Sequence, residues 1–234
     1  MIISKPEFEM VHNRIFVLMA LLFIFQLHTY SQKLPVGYIE QYSEECINNN
    51  FFKTFYPENI SNWKFLNDSK SKTLIIAPDS LDKHEFPDIR GIIRNMVFGD
   101  CIIEFEFRTN KKTSVSEGFC FLGPVKSIQS YYVFLFSSDS ISFSFINKGE
   151  IILVDRQPAT KTVSGWNKVR IERDILNRSI TIIMNGDYIH KNNFTDKNLV
   201  MGYVGFGTNK VSGFLRNIKI WAPTSITDTT FTWH

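Results

Sequence analysis

From residue 70 onward the chain alternates short apolar runs with clusters of turn residues, and no stretch sustains a helical period. The runs predict strands over Thr73–Ala77, Ile89–Arg94, Asp100–Thr109, Gly118–Leu122, Tyr131–Ser137, Ile141–Asn147, Ile151–Arg156, Trp166–Asp174, Ser179–Asn185, Leu199–Gly207 and Gly213–Trp221. Short strands following one another without intervening helices predict an all-β sandwich or barrel, not βαβ units. Asn185-Gly186 between Ile180–Met184 and Tyr188-Ile189 marks a two-residue hairpin, because both turn positions need positive φ. Asn147-Lys148-Gly149 and Gly123-Pro124 mark further reversals.

Two runs alternate clearly enough to assign faces. In one, Cys101, Ile103, Phe105 and Phe107 share a side, and Glu104, Glu106 and Arg108 share the other, as a period of two requires. In the other, Val169 and Ile171 point inward while Lys168, Arg170 and Glu172 point to water. Trp166 offers a ring for stacking on a sugar, but core packing is the preferred reading, because Val169 and Ile171 follow it and tryptophan is highly buried on average.

Residues 1–31 read as an export signal, with Lys5, His12 and Arg14 ahead of the apolar run Ile15–Leu27. That run falls short of the roughly 20 residues of a membrane span, so cleavage after Ser31 and a secreted or periplasmic product with no membrane attachment are expected. A retained anchor is the competing reading, and translation could start at Met1 or at Met10. Residues 32–49 form a lead-in, in which Glu40–Asn50 predicts a short helix; 50–223 form the sandwich and 224–234 a Thr-rich loose tail.

Composition narrows the partners. The formal charge is +3, and removing Lys5, Arg14, Glu7 and Glu9 with the leader leaves it there. Lys and Arg are interleaved with Asp and Glu, so the basic stripe of a nucleic-acid binder is missing from the sequence. Phenylalanine, at 22 residues, predicts a core of large rings. Cys46, Cys101 and Cys120 match no metal spacing, and the histidines form no zinc-ligand pair, so neither metal nor cofactor is expected. A Cys101–Cys120 bridge requires their strands to be neighbours.

Several segments resemble the concanavalin A-like (laminin G-like) jelly roll of secreted bacterial proteins. The first half is carried by Asn62-Trp-Lys-Phe-Leu-Asn67, Phe98–Arg108 and Ser116–Phe121. The second half is carried by Tyr131–Leu135, Gly165–Asp174, Ile180–Gly186, Gly202–Gly207 and Phe214–Trp221. The similarity covers about residues 50–222 and extends to domains named for 3-keto-disaccharide hydrolysis. It implies a two-sheet antiparallel sandwich, export and a glycan or polysaccharide partner.

Candidate chemistry centres on Glu104 and Glu106. Two residues apart on one strand face, they lie roughly 7 Å apart, against about 5 Å for a retaining carboxylate pair and several ångströms more for an inverting one. The strand resembles that of laminarinase and lichenase glucanases, but Thr109 stands where their last acid belongs. The alternative is a plain charged outer face balanced by Arg108. Tyr131 and Tyr132 offer stacking area for a sugar, alternation leaving only one of them to face a ligand. A glycan-binding module using Glu104, Glu106, Arg108, Arg170 and one of Tyr131 and Tyr132 is therefore preferred; a glycoside hydrolase using Glu104 and Glu106 is the alternative.

Overall fold

Period-two alternation is realised in strand after strand of a computed structural model of the chain, which describes residues 34–68, 71–76, 89–109, 117–158, 165–193 and 199–233. Residues 1–31, read above as an export signal, lie outside the described residues, as do His84 and Lys111-Lys112. From Gly37 onward the described residues form one unit. In chain order the strands begin with β1 (Ile39–Glu44), β2 (Phe55–Pro57), β3 (Trp63–Asp68), β4 (Ser71–Ile76), β5 (Ile89–Ile93) and β6 (Met96–Phe98). The middle of the chain supplies β7 (Cys101–Thr109), β8 (Gly118–Ser127), β9 (Ser130–Phe136), β10 (Ser140–Asn147) and β11 (Glu150–Pro158). The last are β12 (Asn167–Asp174), β13 (Ser179–Met184), β14 (Asp187–Asn193), β15 (Tyr203–Asn209), β16 (Gly213–Ala222) and β17 (Ser225–Thr227).

Two antiparallel sheets stack as a jelly-roll sandwich. The first runs β14-β13-β12-β7-β16-β4-β3, with β1 added along the second half of β16; the second runs β11-β10-β9-β8-β15-β5-β2. Phenylalanines from the two inner faces interlock between them. Phe105 and Phe107 of the first sheet meet Phe206 at 5.1 Å and Phe119 at 4.8 Å, respectively, between ring centroids. The Asn185-Gly186 hairpin forms as its sequence demands, with φ of 52° and 91° joining Met184 to Asp187.

Several expectations are corrected. Glu40–Asn50 is not a helix: Ile39–Glu44 is β1, buried at Tyr42 and hydrogen-bonded along β16, and the helical turn comes later, at Phe51–Thr54. Pairing to an existing edge outweighs the weak helical preference of a polar segment. Gly123-Pro124 is not a reversal; β8 continues through this cis peptide, its register shifting between Leu122 and Val125. The tail is not loose. β17 pairs with β6, the Tyr203 hydroxyl donates to the Asp228 carbonyl at 3.1 Å, and Phe231 and Trp233 pack against Tyr203 and Tyr56.

No disulfide joins the cysteines. Cys101 points into the inter-sheet core while Cys120 points to the outer face of the other sheet, and both are buried, as is Cys46. Burial pushes the Cys101 thiol from 9.0 up to about 12. A folded-state value above the unfolded one means that the neutral thiol's contribution is complete below about pH 9 and is lost as pH climbs through about 12. Iodoacetamide at about pH 8 is therefore expected to label the three thiols in denaturant and to spare them in the native chain; mass spectrometry showing native labelling of Cys101 would contradict its placement.

Candidate functional site: the charged face of the first sheet

Outward-pointing residues of β12, β7 and β16 fall into register as rows across the first sheet. Arg170, Glu104 and Lys219 form one row, and Lys168, Glu106 and Arg216 the next, so that each glutamate has a cation on both neighbouring strands. Opposite charges facing each other across antiparallel strands are the sheet's usual electrostatic match. Glu104 accepts from Arg170 Nη1 at 2.9 Å and lies 3.3 Å from Lys168 Nζ. Glu106 accepts from Arg216 Nε at 2.8 Å and from Asn217 Nδ2 at 3.1 Å. Arg170 is itself buried, bridging Glu104 to Glu172, whose Oε1 takes its Nε proton at 2.7 Å.

Both carboxylates thus lie on the predicted face, with their oxygens already engaged. This is the pattern of a surface ion-pair network, in which individual pairs contribute up to about 1 kcal/mol.

The next row carries the aromatic chemistry. Arg108 of β7 pairs with Phe214 of β16, and Trp166, the residue before β12, sits beside them at the same end of the sheet. Trp166 is half-buried on this outer face, which corrects its assignment to the core. The guanidinium of Arg216 lies 3.9 Å from the Trp166 ring centroid and that of Arg108 5.3 Å; Arg108 is also 4.3 Å from Phe214. Parity carried the signal: Trp166 shares even numbering with Lys168, Arg170 and Glu172, and Phe214 with Arg216.

Both tyrosines are buried. Tyr132 faces the inter-sheet core against Phe143 and Phe145. Tyr131 faces outward on the second sheet, yet it is only 2% exposed, because that outer face is apolar too. Its hydroxyl accepts from Arg90 Nη1 at 3.3 Å, and Arg90 in turn grips Glu58 with two hydrogen bonds and lies over Trp233. Burial raises the Tyr131 phenol, against the opposing pull of the Arg90 charge.

Arg173 is a residue that the sequence reading did not single out. Odd numbering turns it inward with Val169 and Ile171, where it is 7% exposed. Its guanidinium donates to the carbonyls of Phe98 (3.2 Å), Gly99 (2.7 Å), Leu199 (2.6 Å) and Val200 (2.6 Å). It thereby ties two loops to one end of the sandwich. The hollow beside it, lined by Phe98, Phe121, Pro124 and Arg173, has a volume of about 10 Å³, room for one water molecule and not for a sugar ring. Among the described residues, no group of three or more His, Cys, Asp or Glu is placed to hold a metal ion.

No family profile and no curated protein sequence matches the chain. Solved structures do. The carbohydrate-binding module CBM66 from Bacillus subtilis superposes with a TM-score of 0.52 at 11% identity, covering 70% of this chain and 93% of that one. A Bacillus subtilis protein of unknown function with a galectin-like fold gives 0.56 at 11% identity, covering 82% of this chain and all of that one. Botulinum neurotoxin type C, whose cell entry depends on interaction with two ganglioside molecules, gives 0.50 at 14% identity; the match takes in 78% of this chain and 47% of the toxin chain. At such identities the likeness defines architecture: this is a jelly-roll sandwich of the kind seen in carbohydrate-binding modules and galectin-like proteins.

Proposed function

We propose that this chain is an exported, non-catalytic glycan-binding module whose binding surface is the Trp166 end of the first sheet. The observation that carries the reading is the half-buried indole of Trp166, set among two guanidiniums and the Glu106 carboxylate on the outer face of the sheet. The part of the indole that Arg216 does not cover gives an apolar area against which a pyranose ring can lie. The rim supplies what sugar hydroxyls require, N–H donors from Arg108 and Arg216 and acceptor oxygens from Glu106. Architectural likeness to a carbohydrate-binding module and a galectin-like protein supports the same reading, and the apolar run Ile15–Leu27 supports export.

The ion pairs weigh against a glycosidase. A general acid or nucleophile must present a carboxyl oxygen to the scissile bond, whereas Glu104 and Glu106 spend theirs on Arg170, Lys168, Arg216 and Asn217. The wider resemblance to 3-keto-disaccharide hydrolase-type domains is read here as shared architecture that serves binding.

Affinity measurements with a polysaccharide panel test the proposal. The wild-type chain is expected to be retained on at least one member, and Trp166→Ala to weaken that binding by about tenfold or more, the usual loss when a buried aromatic anchor is truncated. Thermal unfolding should change little, since Trp166 lies outside the core. A folded wild-type chain that binds no saccharide, or a Trp166→Ala chain that binds as well as wild type, would overturn the assignment.

A further inference from the structure

We infer that the Trp166 end of this sheet selects saccharides carrying an anionic substituent, a carboxylate or a sulfate, and that Arg108 is the residue that receives it. The inference rests on the glycan-binding reading and specifies its ligand class. Its basis is an imbalance of charge along the face. In the rows built on Glu104 and Glu106, glutamates and cations alternate and pair. In the terminal row the alternation stops: Arg108 has Phe214 across the strand pair and Trp166 beside it, and no described carboxylate is paired with it.

Arg108 is therefore a guanidinium held by rings instead of by an acid. Stacking at 4.3 Å on Phe214 and 5.3 Å on Trp166 engages its π-face. The in-plane N–H groups, which form the fork that recognises carboxylate and sulfate, are not engaged by those contacts. Its neighbour Arg216 adds a second positive charge over the same indole at 3.9 Å, with the single carboxylate Glu106 as counter-ion. Lys168, 62% exposed, is by contrast already countered by Glu104 at 3.3 Å. This end of the face thus has two guanidiniums to one carboxylate, set around an aromatic ring. A sugar stacked on Trp166 would place its exocyclic substituents at the rim, within the field of Arg108.

Orientation and charge together discriminate between ligands. A neutral sugar gains stacking and ordinary hydrogen bonds; an acidic one adds a charge-assisted fork to a guanidinium whose rotamer is already fixed. Loss of such a contact corresponds to about tenfold or more in affinity.

The test is a glycan array holding neutral, carboxylated and sulfated saccharides, probed with the full chain, with Arg108→Gln and with Lys126→Gln. Lys126→Gln makes the same charge change at an exposed position of β8 in the other sheet. Circular dichroism melts confirm folding in each case. Acidic members should outrank neutral ones by about tenfold, and their lead should fall as salt is raised. Arg108→Gln should erase that lead and spare the neutral background, while Lys126→Gln behaves as wild type. The separate carboxylate and sulfate arms identify which anion is preferred. Neutral and acidic members bound alike, or an acidic preference that survives in Arg108→Gln, would overturn the inference and leave the glycan reading standing. A folded wild-type chain that binds none of the three groups overturns both.

Discussion

Replacing Arg173 with methionine is expected to destabilise the fold by about 3 to 5 kcal/mol, with the charged outer face left intact. The side-chain volume is nearly kept, so the loss measures hydrogen bonding more than packing. Four carbonyls, from Phe98, Gly99, Leu199 and Val200, converge on one guanidinium at 2.6 to 3.2 Å. Phe98 keeps a second bond, from the Gly202 N–H at 3.2 Å; the others lose a charge-assisted donor. Arg173→Lys should recover only part of the loss, because a single ammonium cannot reach two loops with a planar fork. Chemical denaturation is the measurement: a midpoint shifted with unchanged slope is expected, and a Met variant within about 1 kcal/mol of wild type would show that the two loops hold without it.

The second large effect is predicted at the centre of the core. Phe105 contacts Phe107, Phe119, Phe121, Phe136 and Phe206, at centroid distances from 5.1 to 6.3 Å, and so joins the two sheets through one ring. Phe105→Ala removes the ring and leaves a cavity walled by stiff aromatics from both layers, which close over it poorly. A loss of about 4 kcal/mol is expected, against less than about 1.5 kcal/mol for Phe105→Leu. Equal losses for the two variants in calorimetric unfolding would mean that the ring cluster packs loosely.

These two side chains differ in how far the sequence revealed them. Phe105 was legible: strict alternation from Cys101 to Phe107 put it inside, and the structure finds those residues at 1 or 2% exposure. Glu104 and Glu106 were placed on the correct face by the same rule. Arg173 and Trp166 obeyed it too, yet a buried arginine and a tryptophan on an outer sheet face run against what is usual for their types. At Trp166 the average burial of tryptophan was given more weight than the parity it shares with Lys168 and Arg170, and the parity held.

Other features could not be read locally. Whether Tyr131 meets water depends on distant residues, since Arg90, 41 positions away, and Trp233, which lies under the Arg90 guanidinium, are brought to it only by the fold. The pairing of β1 with β16 links segments some 180 residues apart, and nothing in Ile39-Glu-Gln-Tyr-Ser-Glu44 announces a strand except a neighbour that lacks one. The ion pairs that occupy Glu104 and Glu106 likewise needed the register of β12 and β16 against β7, which alternation alone leaves undetermined.

Residues 228–233 carry a genetic consequence. Asp228, Phe231 and Trp233 roof the outside of the second sheet, resting on Tyr203, Tyr56 and Arg90. A premature stop codon a few positions upstream would therefore strip apolar cover from a β-layer and leave a sticky surface prone to clumping. Selection would then guard the codons for Asp228, Phe231 and Trp233 as closely as those of the interior.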